Sequence, residues 1–301
     1  MTSADTAFTS DSPASKPLHA VLWMFATGLC FVAVIIVIKS MQGRIPPFES
    51  AFIRYLLGTV FLIPFAGKLW REGAGRKLQV LLSIRGVVHA LGVGGWFFAM
   101  SQISLAEVTA IGYLTPIFIT LGAALFLGER LALRRMAAIC IAFIGALIIL
   151  RPGVRAIEPG HLTMLGTAFA FGVSHLMAKY AVRSASPSMI VAMLTVWVAI
   201  ALCPFALMNW VTPSITDVAL LFLVACFATL GHYTMMLSFA AAPVAVSQPV
   251  TFLQLVWATL IGVLFFEEAI DPWVISGAML ILACITYISW REAVLKQRGR
   301  L

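Results

Sequence analysis

Apolar runs of about 20 residues dominate the sequence, and short segments carrying Pro, Gly and charged residues separate them. A helix needs about 20 apolar residues to cross the hydrocarbon core of a bilayer. The mean hydropathy of +1.01 and the charged fraction of 11% agree with a membrane protein, because soluble domains contain about 25% charged residues. We therefore predict an all-α polytopic membrane protein, with no room in 301 residues for a large water-soluble domain.

Breaks at Pro, Gly and charged residues divide the chain into ten predicted transmembrane helices. Their bounds are 18–41, 47–67, 81–102, 105–127, 133–151, 160–181, 187–209, 217–239, 244–266 and 272–290. Residues 1–17 are rich in Ser, Thr and Ala and predict a disordered N-terminal tail, and residues 293–301 predict a basic cytoplasmic tail. The run that begins at Leu18 is too long for the core of a signal peptide, so we expect it to remain as the first span.

The basic residues predict the orientation of these spans. With both termini inside, fourteen Lys and Arg residues fall in cytoplasmic segments and four in outer segments. Cytoplasmic loops of membrane proteins carry the excess of Lys and Arg. The distribution therefore predicts a multi-pass protein of the cell inner membrane with a cytoplasmic N-terminus and C-terminus. Because the basic residues are dispersed between apolar runs, the net charge of +8 does not indicate a nucleic-acid surface.

The two halves of the chain repeat each other at an offset of 139 or 140 residues. The matched pairs are Pro47 with Pro187, Pro64 with Pro204, Lys39 with Lys179, and Glu129 with Glu268. Each half contains five predicted spans, and an odd number requires the second copy to enter the membrane from the opposite side. The charges agree, because Arg130 follows the first glutamate of the last pair whereas Asp271 follows the second.

The repeated segments resemble the EamA family of the drug/metabolite transporter superfamily. The motifs that carry the resemblance are Leu105-Ala106-Glu107, Leu127-Gly128-Glu129-Arg130 and Arg151-Pro152-Gly153, with Phe252-Leu253-Gln254 and Phe265 to Glu268 in the second copy. In the second copy, Glu267 replaces the glycine of Gly-Glu. The resemblance implies two inverted five-helix EamA repeats, at 18–153 and 158–292, around a cavity lined by helices 1, 3, 4, 6, 8 and 9. Amino-acid exporters and S-adenosylmethionine carriers of the family are the most similar in pattern.

Polar and aromatic side chains inside the spans are the candidate substrate-binding residues, because lipid cannot satisfy their hydrogen bonds and a wet cavity can. Each also has a structural interpretation, such as a hydrogen bond to a neighbouring helix. The candidates are His89 and Trp96 on helix 3, Tyr113 on helix 4, His175 on helix 6, His232 on helix 8, and Gln254 and Trp257 on helix 9.

Two arginines also fall within predicted spans. Arg54 lies seven residues inside the second span, where it could snorkel, pair with Glu107 or attract a substrate carboxylate. Arg85 lies near the inner end of the third span, and we expect it to snorkel. Glu129 and Glu268 close their helices beside short loops, and we interpret both as structural residues that hydrogen-bond loop amides.

These features predict a carrier of small metabolites across the cytoplasmic membrane by alternating access. The expected substrates are amino acids, aromatic or otherwise neutral, and the expected mode is export or facilitated diffusion. The alternatives are import of S-adenosylmethionine, of another metabolite or of a drug, and a membrane enzyme. No catalytic motif and no metal-ligand spacing supports an enzyme, and we expect no cofactor. The expected partners are the lipid bilayer and a small-molecule substrate. Because one chain carries both repeats, the predicted transporter is complete as a monomer.

The acidic residues predict the energy coupling of transport. All 12 Asp and Glu residues fall in tails, loops or span ends, whereas proton-coupled carriers use ionisable groups inside the membrane. We therefore predict a facilitator. In proteoliposomes, an imposed pH gradient should leave substrate accumulation near equilibrium. Uphill accumulation that is lost in His89→Ala, His175→Ala or His232→Ala would contradict this prediction and identify the coupling residue.

Overall fold

The computed structural model describes residues 16–41, 43–65, 67, 75–127, 133–154, 156–242, 247, 250 and 253–297. Over these ranges the chain forms α-helices joined by short turns, without β-strands. Residues 1–15 of the predicted 1–17 tail lie outside the described residues, as does Glu129, and Pro17 begins the first helix. The all-helical prediction is confirmed for the described part of the chain.

The described helices follow the predicted spans closely. They are α1 (Pro17–Ser40), α2 (Pro47–Gly58), a 3₁₀ helix (Thr59–Phe65), α3 (Arg76–Gln102), α4 (Leu105–Gly112), α5 (Thr115–Leu127), α6 (Leu133–Leu150), α7 (Pro159–Ala181), α8 (Pro187–Met208), α9 (Ile215–Ala241), α10 (Leu253–Phe266) and α11 (Pro272–Gln297). Two predicted spans are not single α-helices. The second changes to 3₁₀ geometry around Pro64, which has no backbone N–H to donate, and the fourth is divided into α4 and α5 at Tyr113 and Leu114.

The helices present an apolar outer surface. Six described segments are long and apolar enough to cross a bilayer, and Met136–Leu150 and Leu253–Phe266 are shorter apolar helices. Large hydrophobic side chains such as Ile63, Leu91 and Leu264 are at least half exposed. Exposing so much apolar surface to water is unfavourable, whereas lipid tails are as apolar as these side chains. The surface therefore suits a helix bundle within a membrane.

Equivalent helices of the two halves lie antiparallel to each other. In the pair α6 and α11, Gly145 packs beside Ile281 while Gly277 packs beside Ile149. In the pair α2 and α8, Phe48 contacts Phe205 with ring centroids 5.7 Å apart, while Gly58 near the other end of α2 lies against Thr195. Because each helix runs opposite to its counterpart, the second copy is inverted relative to the first, as the odd number of spans predicts.

Reciprocal contacts between the halves follow the same symmetry. Helix α3 packs on α7, and α9 packs on α1. At the first contact Gly92 lies under the ring of Phe171, and at the second Gly231 lies under the ring of Phe31. Each glycine and each phenylalanine differs from its counterpart by the repeat offset. At Gly92 the missing Cβ allows the Phe171 ring to reach the helix backbone, whereas Gly231 approaches Cys30 most closely and meets Phe31 at an ordinary contact distance. The repeat therefore pairs the same residue types in both halves, with the closer approach in the first pair.

Glu268 joins three parts of the bundle at the Lys39 end of α1. Its carboxylate accepts the backbone N–H of Leu105 at 3.0 Å and pairs with Lys39 at 3.0 Å. Leu105 is the first residue of α4, so a charge from the second repeat satisfies an otherwise unpaired N–H of the first. Glu268 therefore has a structural role, as expected, but the amide it accepts from is at a helix N-terminus rather than in a loop.

The backbone conformation of Glu267, the residue before Glu268, explains why a glycine is expected at this position. Glu267 has a φ of 55°, in the left-handed region that favours glycine. This backbone turn ends α10 and lets Glu268 N–H donate to Gly262 O at 2.9 Å. The substitution of glycine by Glu267 is therefore accommodated with backbone strain, and α10 still ends tightly.

The crossing of α6 and α11 should be sensitive to a single methyl group. A Cβ added at Gly277 would lie 2.6 Å from the Ile149 side chain, and a Cβ added at Gly145 would lie 2.8 Å from the Gly277 carbonyl oxygen. Both distances are too short for real contacts, so an added methyl group overpacks the crossing. We expect Gly277→Ala to lower the free energy of unfolding by about 1–3 kcal/mol, measured by thermal unfolding in detergent. Gly166→Ala is the matched control, because nothing lies within 4 Å of its Cβ position; equal stability of the two variants would contradict the crossing.

Candidate functional site

A central cavity of about 240 Å³ lies between helices of both repeats. Helices α1, α3, α4, α5, α7, α9 and α10 contribute to its lining, together with Arg54 of α2. Its volume is close to the lower end of the range for small-molecule sites, about 300–1,000 Å³. Its wall is largely apolar, with few polar groups, which is the usual composition of a ligand pocket.

Six of the seven predicted substrate-binding residues line this cavity. They are His89, Trp96, Tyr113, His175, His232 and Gln254. The seventh, Trp257, is absent from the lining and 39% exposed. The buried side of α10 follows Leu255, Ala258 and Ile261, and Trp257 lies beyond the edge of that stripe. The structure therefore brings six candidates together and leaves Trp257 on the outer surface.

Imidazole and phenyl rings alternate along one wall of the cavity. Phe171 and His175 are stacked at 6.0 Å with an interplanar angle of 17°, and His89 lies 4.9 Å from Phe171. The row of rings continues from His89 to His232, with centroids 5.4 Å apart, and Phe31 meets His232 edge to face at 5.3 Å. Gly92 lets the Phe171 ring pack closely against the backbone of α3. Flat aromatic faces of this kind favour a flat aromatic ligand.

The imidazole of His89 connects the two histidines on either side of it. Its ring centroid is 5.4 Å from that of His232 and 6.3 Å from that of His175. His89 Nδ1 is 3.0 Å from Ser174 Oγ, which fixes the ring orientation. His89 Nε2 and His232 Nδ1 are buried without a hydrogen-bond partner among the described residues. No group of metal-binding side chains occurs in the described part of the chain.

Tyr113 lies at the break between α4 and α5. Its hydroxyl accepts the backbone N–H of Leu255 at 2.8 Å, so it ties the first repeat to α10 of the second. The ring also lines the cavity, beside Pro116 and Gln254. Tyr113 therefore contributes to the wall and to the contact between repeats, and its hydroxyl is engaged by protein.

Arg54 is buried in the lining rather than extended to the membrane surface. Its residue is 4% exposed, and its guanidinium lies 3.7 Å from the centroid of the Tyr55 ring. No ion pair joins it to an acidic residue in the described part of the chain. Glu107 instead caps α4 through Ser104 and lies 3.2 Å from His161 Nε2. Of the three alternatives for Arg54, the structure excludes snorkelling and the Glu107 pair.

Arg85 is buried, whereas it was expected to snorkel to the membrane surface. It is 1% exposed and does not snorkel. Its Nε donates to Ser174 O at 3.2 Å, and its Nη1 donates to Ile190 O at 3.1 Å. A buried charge requires hydrogen-bond partners, and two backbone carbonyls where α3, α7 and α8 meet accept hydrogen bonds from the Arg85 guanidinium. Arg85 itself is not among the residues that line the cavity.

One cavity residue that the sequence reasoning missed is Phe31. It lies in a continuous apolar run, and neither its type nor its spacing marks it as functional. The repeat offset of 140 residues pairs it with Phe171, which shares a helix face with His175. Extending the candidates to the helix face of His175 and then applying the repeat offset would therefore have identified Phe31.

Comparison with known proteins agrees with this architecture. The EamA-like transporter family matches residues 18–151 and again residues 158–290. A riboflavin transporter of Rhizobium johnstonii is 31% identical, with 92% of this chain and 93% of that protein aligned. An S-adenosylmethionine uptake transporter of Rickettsia prowazekii is 22% identical, covering 91% and 96% of the two chains.

The fold is also similar to a solved structure. A protein crystal structure matches with a TM-score of 0.61 and 19% identity, over 91% of this chain and 98% of that one. Its low identity supports the fold alone. The two family matches together cover nearly the whole chain, in the two halves that the antiparallel helices define. The protein is a multi-pass membrane transporter of the EamA family, built from two EamA repeats.

Proposed function

We propose that the protein takes up a flat heteroaromatic metabolite of the riboflavin type by alternating access. The observation that carries the proposal is the composition of the cavity. Stacked aromatic and imidazole rings form its wall, Arg54 contributes a positive charge, and the described lining contains no carboxylate. A neutral, flat ring system bearing oxygen acceptors complements these groups.

The ring wall favours a substrate with an extended aromatic face. Phe171, His175 and His89 all line the cavity, and an aromatic ligand stacked on one of these rings would gain about 0.5–1.5 kcal/mol beyond simple burial. An aliphatic amino acid would leave this wall unused. The relatives likewise favour a larger metabolite over the amino-acid export expected from the sequence.

Charge distinguishes riboflavin from the second candidate, S-adenosylmethionine. That molecule has an adenine ring for stacking and a carboxylate that Arg54 could bind, but its sulfonium and ammonium groups leave it with a net positive charge. Buried cations require a compensating anion, and the described lining offers Arg54 instead of a carboxylate. S-Adenosylmethionine remains the second candidate because a Rickettsia relative carries that name.

The proposal includes the membrane arrangement predicted from the sequence. Ten spans cross the cytoplasmic membrane, both termini are inside, and one chain forms the transport pathway. The inverted helix pairs support this arrangement because they supply two equivalent halves that can rock about a central site. The Lys39–Glu268 pair closes the bundle at one end of α1, so opening at that end requires these side chains to separate.

Uptake into proteoliposomes tests the substrate. We expect saturable uptake of labelled riboflavin by the purified chain, with little uptake of S-adenosylmethionine or tryptophan. Phe171→Leu keeps most of the side-chain volume but removes the flat face. It should lower riboflavin transport about threefold to tenfold, because an aromatic pair contributes about 0.5–1.5 kcal/mol.

Phe169→Leu is the matched control on the same helix. Phe169 is 55% exposed and absent from the cavity lining, so this variant should transport as the unmodified chain does. Preferential uptake of S-adenosylmethionine would overturn the substrate in favour of the second candidate. Saturable transport of tryptophan alone would restore amino-acid transport.

A further inference from the structure

The strongest unexplained feature of the cavity is a buried cation that no described protein anion neutralises. An arginine guanidinium carries a positive charge in proteins, and the bundle buries Arg54 to 4% exposure. Its Nη1 atom is buried and has no hydrogen-bond partner among the described residues. The guanidinium contacts the face of the Tyr55 ring at 3.7 Å, but no described anion neutralises it. A buried charge without a compensating anion opposes folding, so a functional role is expected.

Two imidazoles of the cavity lining share this property. His89 Nε2 and His232 Nδ1 are buried without partners among the described residues, and their rings are 5.4 Å apart. We name Arg54, His89 and His232 the Arg54 cluster. All three residues line the same cavity, so the cluster combines one fixed donor set with two ring nitrogens that can donate or accept.

The acidic residues that share a helix with Arg54 or His232 make their hydrogen bonds and ion pairs outside the cavity. Glu49, on the helix of Arg54, accepts the backbone N–H of Val211 at 2.9 Å. Asp217, on the helix of His232, caps α9 through Ser214 and pairs with Arg44 at 3.4 Å. Neither is among the residues that line the cavity. The positive charge therefore faces the ligand space.

We infer that the Arg54 cluster is a subsite for an oxygen acceptor attached to an aromatic ring, either a ring carbonyl or a carboxylate. Arg54 donates to the oxygen, the two imidazoles complete the hydrogen bonds, and the rings of Phe171 and Phe31 hold the aromatic part. The same charge excludes cationic ligands. The inference deepens the proposed function, on which its assignment to a transported substrate rests, because it identifies the specificity-determining group of that site.

Three naphthalene probes of similar shape test the subsite in the purified chain. They are 2-naphthoate, 2-naphthamide and 2-naphthylmethylammonium, which are anionic, neutral and cationic. We expect naphthoate and naphthamide to bind and raise the thermal unfolding midpoint, and the cation to do neither. This comparison uses the unmodified protein, so it does not depend on the folding of a variant. Equal binding of the cation and the anion would overturn the inference.

Substitutions then locate the effect. Arg54→Gln should weaken naphthoate binding about tenfold or more, as expected for loss of a charge-assisted hydrogen bond, while Arg54→Lys should restore part of it. Arg44→Gln is the matched control, because the Arg44 side chain is 46% exposed and pairs with Asp217 outside the cavity. Unchanged naphthoate affinity in a folded Arg54→Gln variant would contradict the subsite.

The relative responses to naphthoate and naphthamide distinguish the two sources of the acceptor. A stronger response to naphthamide indicates a ring carbonyl, and a stronger response to naphthoate indicates a carboxylate substrate. Failure of riboflavin uptake together with intact probe selectivity would overturn the proposed substrate and leave the subsite standing. The subsite alone would be overturned if Arg54→Gln kept riboflavin uptake intact and the unmodified protein showed no selectivity among the three probes.

Discussion

Lipid cannot donate or accept hydrogen bonds, and this constraint determines where the polar groups of the bundle lie. Most buried polar side chains are satisfied within the protein: Thr27 meets Thr234 at 2.8 Å, and Arg85 donates to two carbonyls. Arg54 and His232 differ because each has a buried nitrogen without a described partner and each lines the central cavity. An unpartnered nitrogen together with a position in the cavity lining thus marks these side chains as available to a substrate.

The inverted repeat turns one set of helix contacts into a symmetric enclosure. Close approach of α3 to α7 requires Gly92 under Phe171, and the repeat places Gly231 beside Phe31, in a looser contact between α9 and α1. Both phenylalanines line the cavity. A helix contact needed for stability therefore also shapes the binding wall, so stability and recognition depend on the same residues.

Sequence reasoning identified the helical class, the inverted repeat and six cavity residues, because span length, repeat offset and buried polarity are local signals. It failed where the outcome depends on the position of neighbouring helices. Trp257 was expected in the cavity and lies on the outer surface. Gln254 and Trp257 are three residues apart on one helix, and the boundary of the buried face passes between them. Arg85 was expected to snorkel, but carbonyls of α7 and α8 reach it, a contact that only the assembled bundle creates.

Thiol labelling at Phe171 tests most directly whether the cavity is the transport site. The background is a chain with its five cysteines replaced by alanine, and Phe171→Cys is compared with Phe169→Cys. We expect a small water-soluble thiol reagent to modify the Phe171→Cys variant and block transport, with protection by riboflavin, and to leave Phe169→Cys active. Unmodified Phe171→Cys, or modification that leaves transport intact, would contradict a central, water-accessible substrate site.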